Sequence, residues 1–266
     1  MIVIFGAGVM GETLLSGLLR AGRSPSDLAI TERSAERGET LAAKYGVALL
    51  SNTEAATRAD TLVLVVKPQD MATLLDEVRD HVVAGNIVIS LAAGITTEFL
   101  ESHLPEGSSV IRVMFNTPAL VDQGMAGISP GRHCLDEHLD EADALLSSCG
   151  KVLRLEEKHL DAVTAISGSG PAYIFYVVEA MIEAGVVLGL PRTVATELVV
   201  QTLYGAATML RDTGEHPTVL REQVSSPGGT TVAALRQLDD HKVRAAFVNA
   251  IEAAAARSKA LASGQV

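Results

Sequence analysis

Residues Gly6-Ala7-Gly8-Val9-Met10-Gly11 set three glycines at the spacing G-x-G-x-x-G, directly after the apolar run Ile2–Phe5 and ahead of a helical pattern. In that setting the spacing suits a diphosphate: one glycine turns the chain, one lets the ligand approach the backbone, and one packs helix on strand. The N–H groups of the helix start then face the anion. Glu32 ends the second apolar run about 20 residues further on, where a carboxylate can accept hydrogen bonds from the adenosine ribose of a dinucleotide. A carboxylate there disfavours a 2′-phosphate while Arg33 and Arg37 would attract one, so the residues leave NADH against NADPH open.

A second anion site is suggested at the far end of the chain by VSSPGGTTVAAL, Val224 to Leu235. Ser225, Ser226, Gly228, Gly229, Thr230 and Thr231 gather hydroxyls and unpaired amides at one helix start. One cap residue is enough to stabilise a helix, by about 0.5 to 2 kcal/mol; so many donors point to a bound anion. Ser167-Gly168-Ser169-Gly170-Pro171 is a further glycine and serine cap that could equally line a site. Three segments at strand ends read either as turns or as ligand contacts: Val66-Lys67-Pro68-Gln69, Ala92-Ala93-Gly94, and Arg112 to Pro118 with Asn116 before Thr117-Pro118.

These residues need a sheet edge to hold them. Ile2–Phe5, Leu28–Thr31, Thr61–Val66, Ile87–Leu91 and Val110–Met114 are compact and unalternating, as strands buried on both faces of a parallel sheet are. Glu12–Ala21, Ala35–Tyr45 and Asp70–Val82 carry helical patterns between them, and a helix Leu135–Ser148 and a strand Val152–Leu155 follow. Repeated βαβ units give a doubly wound, Rossmann-type α/β domain over 1–155. From 156 to 266 no strand-like run recurs and Ala-rich helical segments take over, giving an all-helical domain. Its segment Tyr173–Leu188 is apolar around most of its girth, which predicts a helix shared with another subunit.

Composition narrows the partners. With 266 residues, 48% hydrophobic and 20% charged, the chain can bury two cores; aromatics at 3% leave them to Ala, Val, Leu and Ile. A net charge of −11 argues against nucleic acid and anionic membranes. Glu179 and Glu183 interrupt the longest apolar candidate, Ala172–Leu190, and the start lacks the order of a signal peptide, so a soluble, cytoplasmic protein without a membrane span is expected. Cys134 and Cys149 have no metal-ligand spacing and read as reduced, structural thiols; no metal is expected.

The segments GAGVMG, VKPQ, RVMFNTP, TAISGSGPAY, LGLPR and VSSPGGTTVAAL, in this order over nearly the whole chain, resemble pyrroline-5-carboxylate reductase. GxGxMG is shared with many β-hydroxyacid dehydrogenases, whereas SGSGPAY and SSPGGTT are specific to this family. The resemblance implies reduction of 1-pyrroline-5-carboxylate to L-proline, the last step of proline synthesis, with NADPH as cofactor and NADH as the alternative. It also implies a homodimer interlocked through the helical domains, and a decamer of five dimers as a further assembly.

Carried over residue by residue, the resemblance gives the cofactor Gly6, Ala7, Gly8, Val9, Met10 and Gly11, the Glu32 and Arg33 pair, Lys67 and Pro68, Ala93 and Gly94, and Asn116. The second anion becomes the substrate carboxylate, held by Ser226 and the amides of Gly228, Gly229 and Thr230, with Thr231 as the catalytic residue on the ring nitrogen. Phe115 departs from the family, standing where many members have proline, and Glu32 is unlike the polar or basic loops of NADPH-selective members. Two rival readings suit the sequence less well. A β-hydroxyacid dehydrogenase needs a catalytic lysine in the helical domain, and Tyr173–Leu188 has none. A non-catalytic dinucleotide-binding module has no use for a second anion site.

Overall fold

The computed structural model describes residues 1–83 and 85–262; the last four positions of the helical region lie outside the described residues. Eight strands form one sheet in the order β3-β2-β1-β4-β5-β6-β7-β8. They are β1 (Ile2–Phe5), β2 (Leu28–Thr31), β3 (Ala48–Leu49), β4 (Thr61–Leu64), β5 (Ile87–Ser90), β6 (Ser109–Phe115), β7 (Gly124–Pro130) and β8 (Gly150–Arg154). All neighbours run parallel except β6 and β7. The strands β1, β2, β4 and β5 are buried along their whole length, as their unalternating Val/Ile sequences require.

Helices α1 (Val9–Arg20), α2 (Ala35–Tyr45), α3 (Asn52–Arg58), α4 (Met71–Val78), α5 (Thr97–His103) and α6 (Asp136–Leu146) accompany the sheet. Two apolar clusters separate alternate residues of β1, Ile2 and Ile4 in one with Leu14, Leu15 and Leu18 of α1, Val3 and Phe5 in the other with Leu74 and Leu75 of α4. The expected strands and helices recur with shifted ends, and the expected helix Asp70–Val82 is shorter, α4 being flanked by 3-10 turns at Pro68–Asp70 and Arg79–His81. The strands β3 and β7 and the helices α3 and α5 had no counterpart in the sequence reading. Cys149 lies buried in the first cluster and Cys134 donates to the Val110 carbonyl at 2.9 Å; burial pushes both thiols up.

Beyond β8 the described chain is helical: α7 (Leu160–Val163), a π-helical turn Thr164–Gly168, α8 (Gly170–Val187), α9 (Arg192–Thr213), α10 (Pro217–Gln223), α11 (Thr230–Asp240) and α12 (Val243–Ala262). By packing, one compact unit holds Met1–Ser169 with Ala254–Val266 and the other holds Gly170–Ala253. The change from strand to helix thus falls earlier in the chain, near 155, than the change of packing unit. In the second unit α8 and α9 pair closely, a Cβ on Gly185 falling 2.9 Å from that of Ala195. No residue of α8 is buried. Tyr176 is 75% exposed and Val187 85% exposed.

By length and composition the helical stretch Glu157–Val187, which contains an 18-residue window of mean hydropathy 1.3, would suffice to cross a membrane. The expectation of no such stretch counted uninterrupted apolar runs, and the average over a window tolerates Glu179 and Glu183. Glu179 falls at the middle of α8 and Glu183 one turn further on; a charge at a bilayer centre costs about 2.5 to 3.5 kcal/mol.

Candidate active site

The parallel register aligns Phe5 with both Thr31 and Leu64, and Leu64 with Ser90. The segments that follow β1, β2, β4 and β5 therefore leave the same carboxyl edge of the sheet, the edge at which open α/β sheets bind ligands. Gly6–Gly11, Glu32–Arg33, Lys67–Pro68 and Ala93–Gly94 are brought together there, and Asn116 follows β6 on the same edge.

The three loop glycines differ in what requires them. Gly6 has φ +94°, a left-handed conformation that a side chain resists, and its amide donates to the Thr31 carbonyl at 3.0 Å. A Cβ on Gly11 would stand 2.2 Å from the Gly6 carbonyl oxygen. Gly8 is different: its φ of −65° and ψ of −166° suit any residue, and a Cβ there meets nothing within 4 Å. Neither backbone conformation nor packing requires glycine at position 8, and the space in front of it is open to a group from outside. Gly8 is also the N-cap of α1 and no side chain caps that helix, which leaves its first amides for an anion. A dinucleotide diphosphate fits this cradle. Ala7 faces the core, Met10 packs against it and Val9 is exposed.

Glu32 directly follows β2 and accepts the Ser34 amide at 3.1 Å. Arg33 is exposed, its nearest carboxylate oxygen, on Asp70, being 3.8 Å away. Lys67 and Pro68 open the exposed 3-10 turn after β4. Gly94 turns the chain at φ +76°, and a Cβ on it would stand 3.6 Å from backbone atoms of Leu261 and Ala262. Asn116 is buried and already employed: its Oδ1 accepts from the Met125 amide at 2.8 Å and its Nδ2 donates to the Ser167 carbonyl at 2.9 Å. That amide ties the end of β6 to the start of β7 and to the π-helical turn. Phe115 is buried in the first apolar cluster over Gly124, whose added Cβ would meet its ring at 2.6 Å, so the ring fills core.

Sequence reasoning missed an ion pair beside this edge, between the buried Arg112 and the half-buried Glu157. Arg112 of β6 donates to Glu157 at 3.1 Å, and Glu157 also accepts from the Thr97 amide at 2.8 Å and the Thr97 hydroxyl at 2.6 Å. Burial alone would raise the Glu157 carboxyl, but the Thr97 and Arg112 donors together hold it below the ordinary carboxylate range. Only Arg112 itself, a charge inside an otherwise apolar strand, signalled it.

In the helical unit, Ser226-Pro227-Gly228-Gly229 form a turn closed by the Gly229 amide on the Ser226 carbonyl at 2.9 Å, with Gly228 at φ +72°. Proline second and a left-handed glycine third are the residues a type II turn demands. Ser225 donates its hydroxyl to Arg221 at the end of α10, at 2.6 Å. Gly229 is the N-cap of α11 and no side chain caps it. The amide of Gly229 is thus engaged, and the amides of Gly228, Thr230 and Thr231 stay with the Ser226 hydroxyl as the donors open to a ligand. In SGSGP, the Ser167 hydroxyl bonds the Val163 carbonyl at 2.9 Å and the Ser169 amide the Thr164 carbonyl at 2.8 Å, both internal to the helix.

The family described as pyrroline-5-carboxylate reductase dimerisation matches residues 157–261, and that described as NADP oxidoreductase, coenzyme F420-dependent, matches residues 1–94. Along the whole chain, the pyrroline-5-carboxylate reductase of Corynebacterium melassecola is 46% identical over 264 residues, 98% of each chain. The chain belongs to the pyrroline-5-carboxylate reductase family. Solved structures agree: the reductase of Coxiella burnetii is 35% identical with a TM-score of 0.94, covering 98% of this chain and 97% of its own. The Plasmodium falciparum pyrroline carboxylate reductase, solved with NADP bound, is 29% identical with a TM-score of 0.88, covering 98% of this chain and 97% of its own.

Proposed function

We propose that this family member reduces 1-pyrroline-5-carboxylate to L-proline with NADPH, NADH serving as well, as the last step of proline synthesis. The observation that carries the reading is the pair of uncapped helix starts: α1 behind the unconstrained Gly8, and α11 behind the Ser226–Gly229 turn. One suits a diphosphate, the other a carboxylate.

The substrate carboxylate sits on the Ser226 hydroxyl and the amides of Gly228 and Thr230 at the positive end of α11. Thr231 hydrogen-bonds the ring nitrogen and orients the imine. The nicotinamide, when bound, supplies a hydride from its C4 to the imine carbon. As that carbon gains the hydride, the C=N π electrons pass to the nitrogen, which already carries its proton and becomes the amine. No strong acid is needed, and the chief work is proximity and orientation, which can contribute roughly 7 to 11 kcal/mol. A threonine hydroxyl is too basic to act as a free acid at neutral pH, so Thr231 positions the nitrogen and relays protons from water. The cofactor-facing set is Gly6–Gly11, Glu32, Arg33, Lys67, Pro68, Ala93 and Gly94; Asn116 supports it by holding β6, β7 and the π-helical turn in place.

Residues 1–155 serve the dinucleotide and 156–266 the substrate and the dimer. The apolar faces of α8 and α9 support a homodimer built on them, with five dimers forming a decamer. Dimerisation covers the apolar helix without a membrane, in keeping with a soluble, cytoplasmic enzyme.

Steady-state kinetics of Thr231→Ala and Ser226→Ala test the site. Thr231→Ala lowers kcat, by less than the roughly 10² to 10⁴-fold of a true general acid. Ser226→Ala raises substrate KM with kcat retained, because its contact exists in ground and transition states alike. Wild-type constants in both variants would reduce the segment to a helix cap.

A further inference from the structure

We infer that Arg37 is a positioning residue of the cofactor loop, a clamp on the Ala7 carbonyl that Glu12 withholds from the 2′-phosphate of NADPH. The inference rests on the reading of Gly6–Gly11 as the diphosphate cradle. By residue type, Arg33 and Arg37 both suit a 2′-phosphate; the geometry separates them. Arg37 stands in the first turn of α2, its amide on the N-cap hydroxyl of Ser34. Its Nε donates to the Ala7 carbonyl at 2.9 Å and its Nη2 to Glu12 Oε2 at 3.0 Å. The other oxygen of Glu12 accepts from Lys44 Nζ at 2.9 Å and from the Tyr45 hydroxyl at 3.0 Å. Arg33 makes only the loose 3.8 Å approach to Asp70.

Two consequences follow from elementary chemistry. The Ala7 carbonyl and the Gly8 N–H belong to one planar trans peptide, so they point in opposite directions and fixing one aims the other. Arg37, by holding that carbonyl, fixes the orientation of the Gly8 amide, one of the donors offered to the diphosphate. Second, Glu12 lies in the first turn of α1, where a carboxylate competes with a bound anion for the same positive end of the helix. The hydrogen bond from Lys44 above all, opposed by burial and aided by Tyr45 and the charges of Lys44 and Arg37, keeps the Glu12 carboxyl below its ordinary range. It therefore stays ionised and keeps its grip on Arg37 while its own charge is offset. The fork of a guanidinium reaches two acceptors at once, which a lysine ammonium cannot do in a fixed plane.

Isothermal titration with NADPH and NADH tests this on Arg37→Gln, Arg37→Lys, Glu12→Gln and Gly8→Ala, with melting temperatures alongside. Arg37→Gln is expected to weaken both cofactors by the same factor, about tenfold, leaving their affinity ratio within twofold of wild type. Arg37→Lys recovers less than half of that loss on a logarithmic scale. Glu12→Gln releases Arg37 and moves the ratio at least threefold toward NADPH; it and Arg37→Lys also decide the matter should Arg37→Gln not fold. A loss confined to NADPH in Arg37→Gln would make Arg37 a phosphate ligand and overturn the inference. So would unchanged affinities with a lowered melting temperature, full rescue by lysine, or an unmoved ratio in Glu12→Gln. Gly8→Ala separates the two levels: if it leaves both affinities unchanged the cradle reading itself fails, and if it weakens both while Arg37→Gln weakens neither, only the clamp fails.

Discussion

Replacing Gly8 by alanine adds one methyl at the point where the fold is indifferent and a ligand is not. With φ at −65° and no atom within 4 Å of the new Cβ, the folded chain accepts alanine without strain. Alanine is a poorer N-cap than glycine by about 0.5 to 1 kcal/mol, while restricting the unfolded chain returns roughly 0.4 to 1 kcal/mol. The two nearly cancel, so the melting temperature should stay within about 2 to 4 °C of wild type for a chain of this size. Cofactor affinity has no such compensation. A methyl held against the diphosphate displaces it from at least one charge-assisted amide contact, which is worth about 1.5 to 3 kcal/mol. That is roughly a ten- to hundredfold rise in Kd, shared by NADPH and NADH because both carry the diphosphate. Gly11→Ala is the contrasting control: its Cβ collides with the Gly6 carbonyl at 2.2 Å and should lower stability itself, by about 1 to 3 kcal/mol. Fluorescence titration of both cofactors with differential scanning calorimetry reads both quantities. Wild-type Kd values in a Gly8→Ala protein of wild-type stability would refute the reasoning, since the loop would then be only a strand-to-helix turn.

Glu32→Gln should shift the kcat/KM ratio toward NADPH by removing a carboxylate from beside the 2′ position; an unmoved ratio would mean that Glu32 does not face the ribose. Light scattering at micromolar concentration should give at least twice the 27.8 kDa chain mass, and a monomer would leave the exposed faces of α8 and α9 unexplained. Glu157→Gln should destabilise the protein at pH 7 by roughly 1.5 to 3 kcal/mol, since the buried Arg112 loses its carboxylate. Because the folded Glu157 carboxyl lies below its unfolded value, its contribution is complete above about pH 5 and is lost as pH falls through the folded value. The stability gap between wild type and variant should therefore narrow on acidification, and a constant gap would show that the carboxylate charge is not what the site uses.

The central strands and the glycine loop were legible because burial on both faces writes Val and Ile without alternation, and because helix dipoles and tight turns demand glycine at set spacings. The strand β7, Gly-Met-Ala-Gly-Ile-Ser-Pro, was not: a strand that holds two glycines and ends in proline has little local preference and is formed by its antiparallel pairing with β6. The strand β3 is two residues long, too short to carry a pattern. At the site, Ser226, Gly228 and Thr231 were readable as a cap and turn. The engagement of the Gly229 amide within that turn was not, nor was the bracing of Asn116, because both depend on carbonyls whose positions only the folded backbone fixes. The same holds for Arg37, whose acceptor on Ala7 lies 30 residues away in sequence.

The central claim is an activity, and one measurement reaches it directly: the oxidation of NADPH and of NADH, followed by absorbance, on adding 1-pyrroline-5-carboxylate to the purified protein, with L-proline quantified as product. The account predicts that both cofactors are consumed in a one-to-one ratio with proline formed, that consumption saturates with substrate, and that Thr231→Ala slows it. No cofactor oxidation with a protein that still binds NADPH would contradict it, and would leave a dinucleotide-binding module whose second anion site serves another purpose.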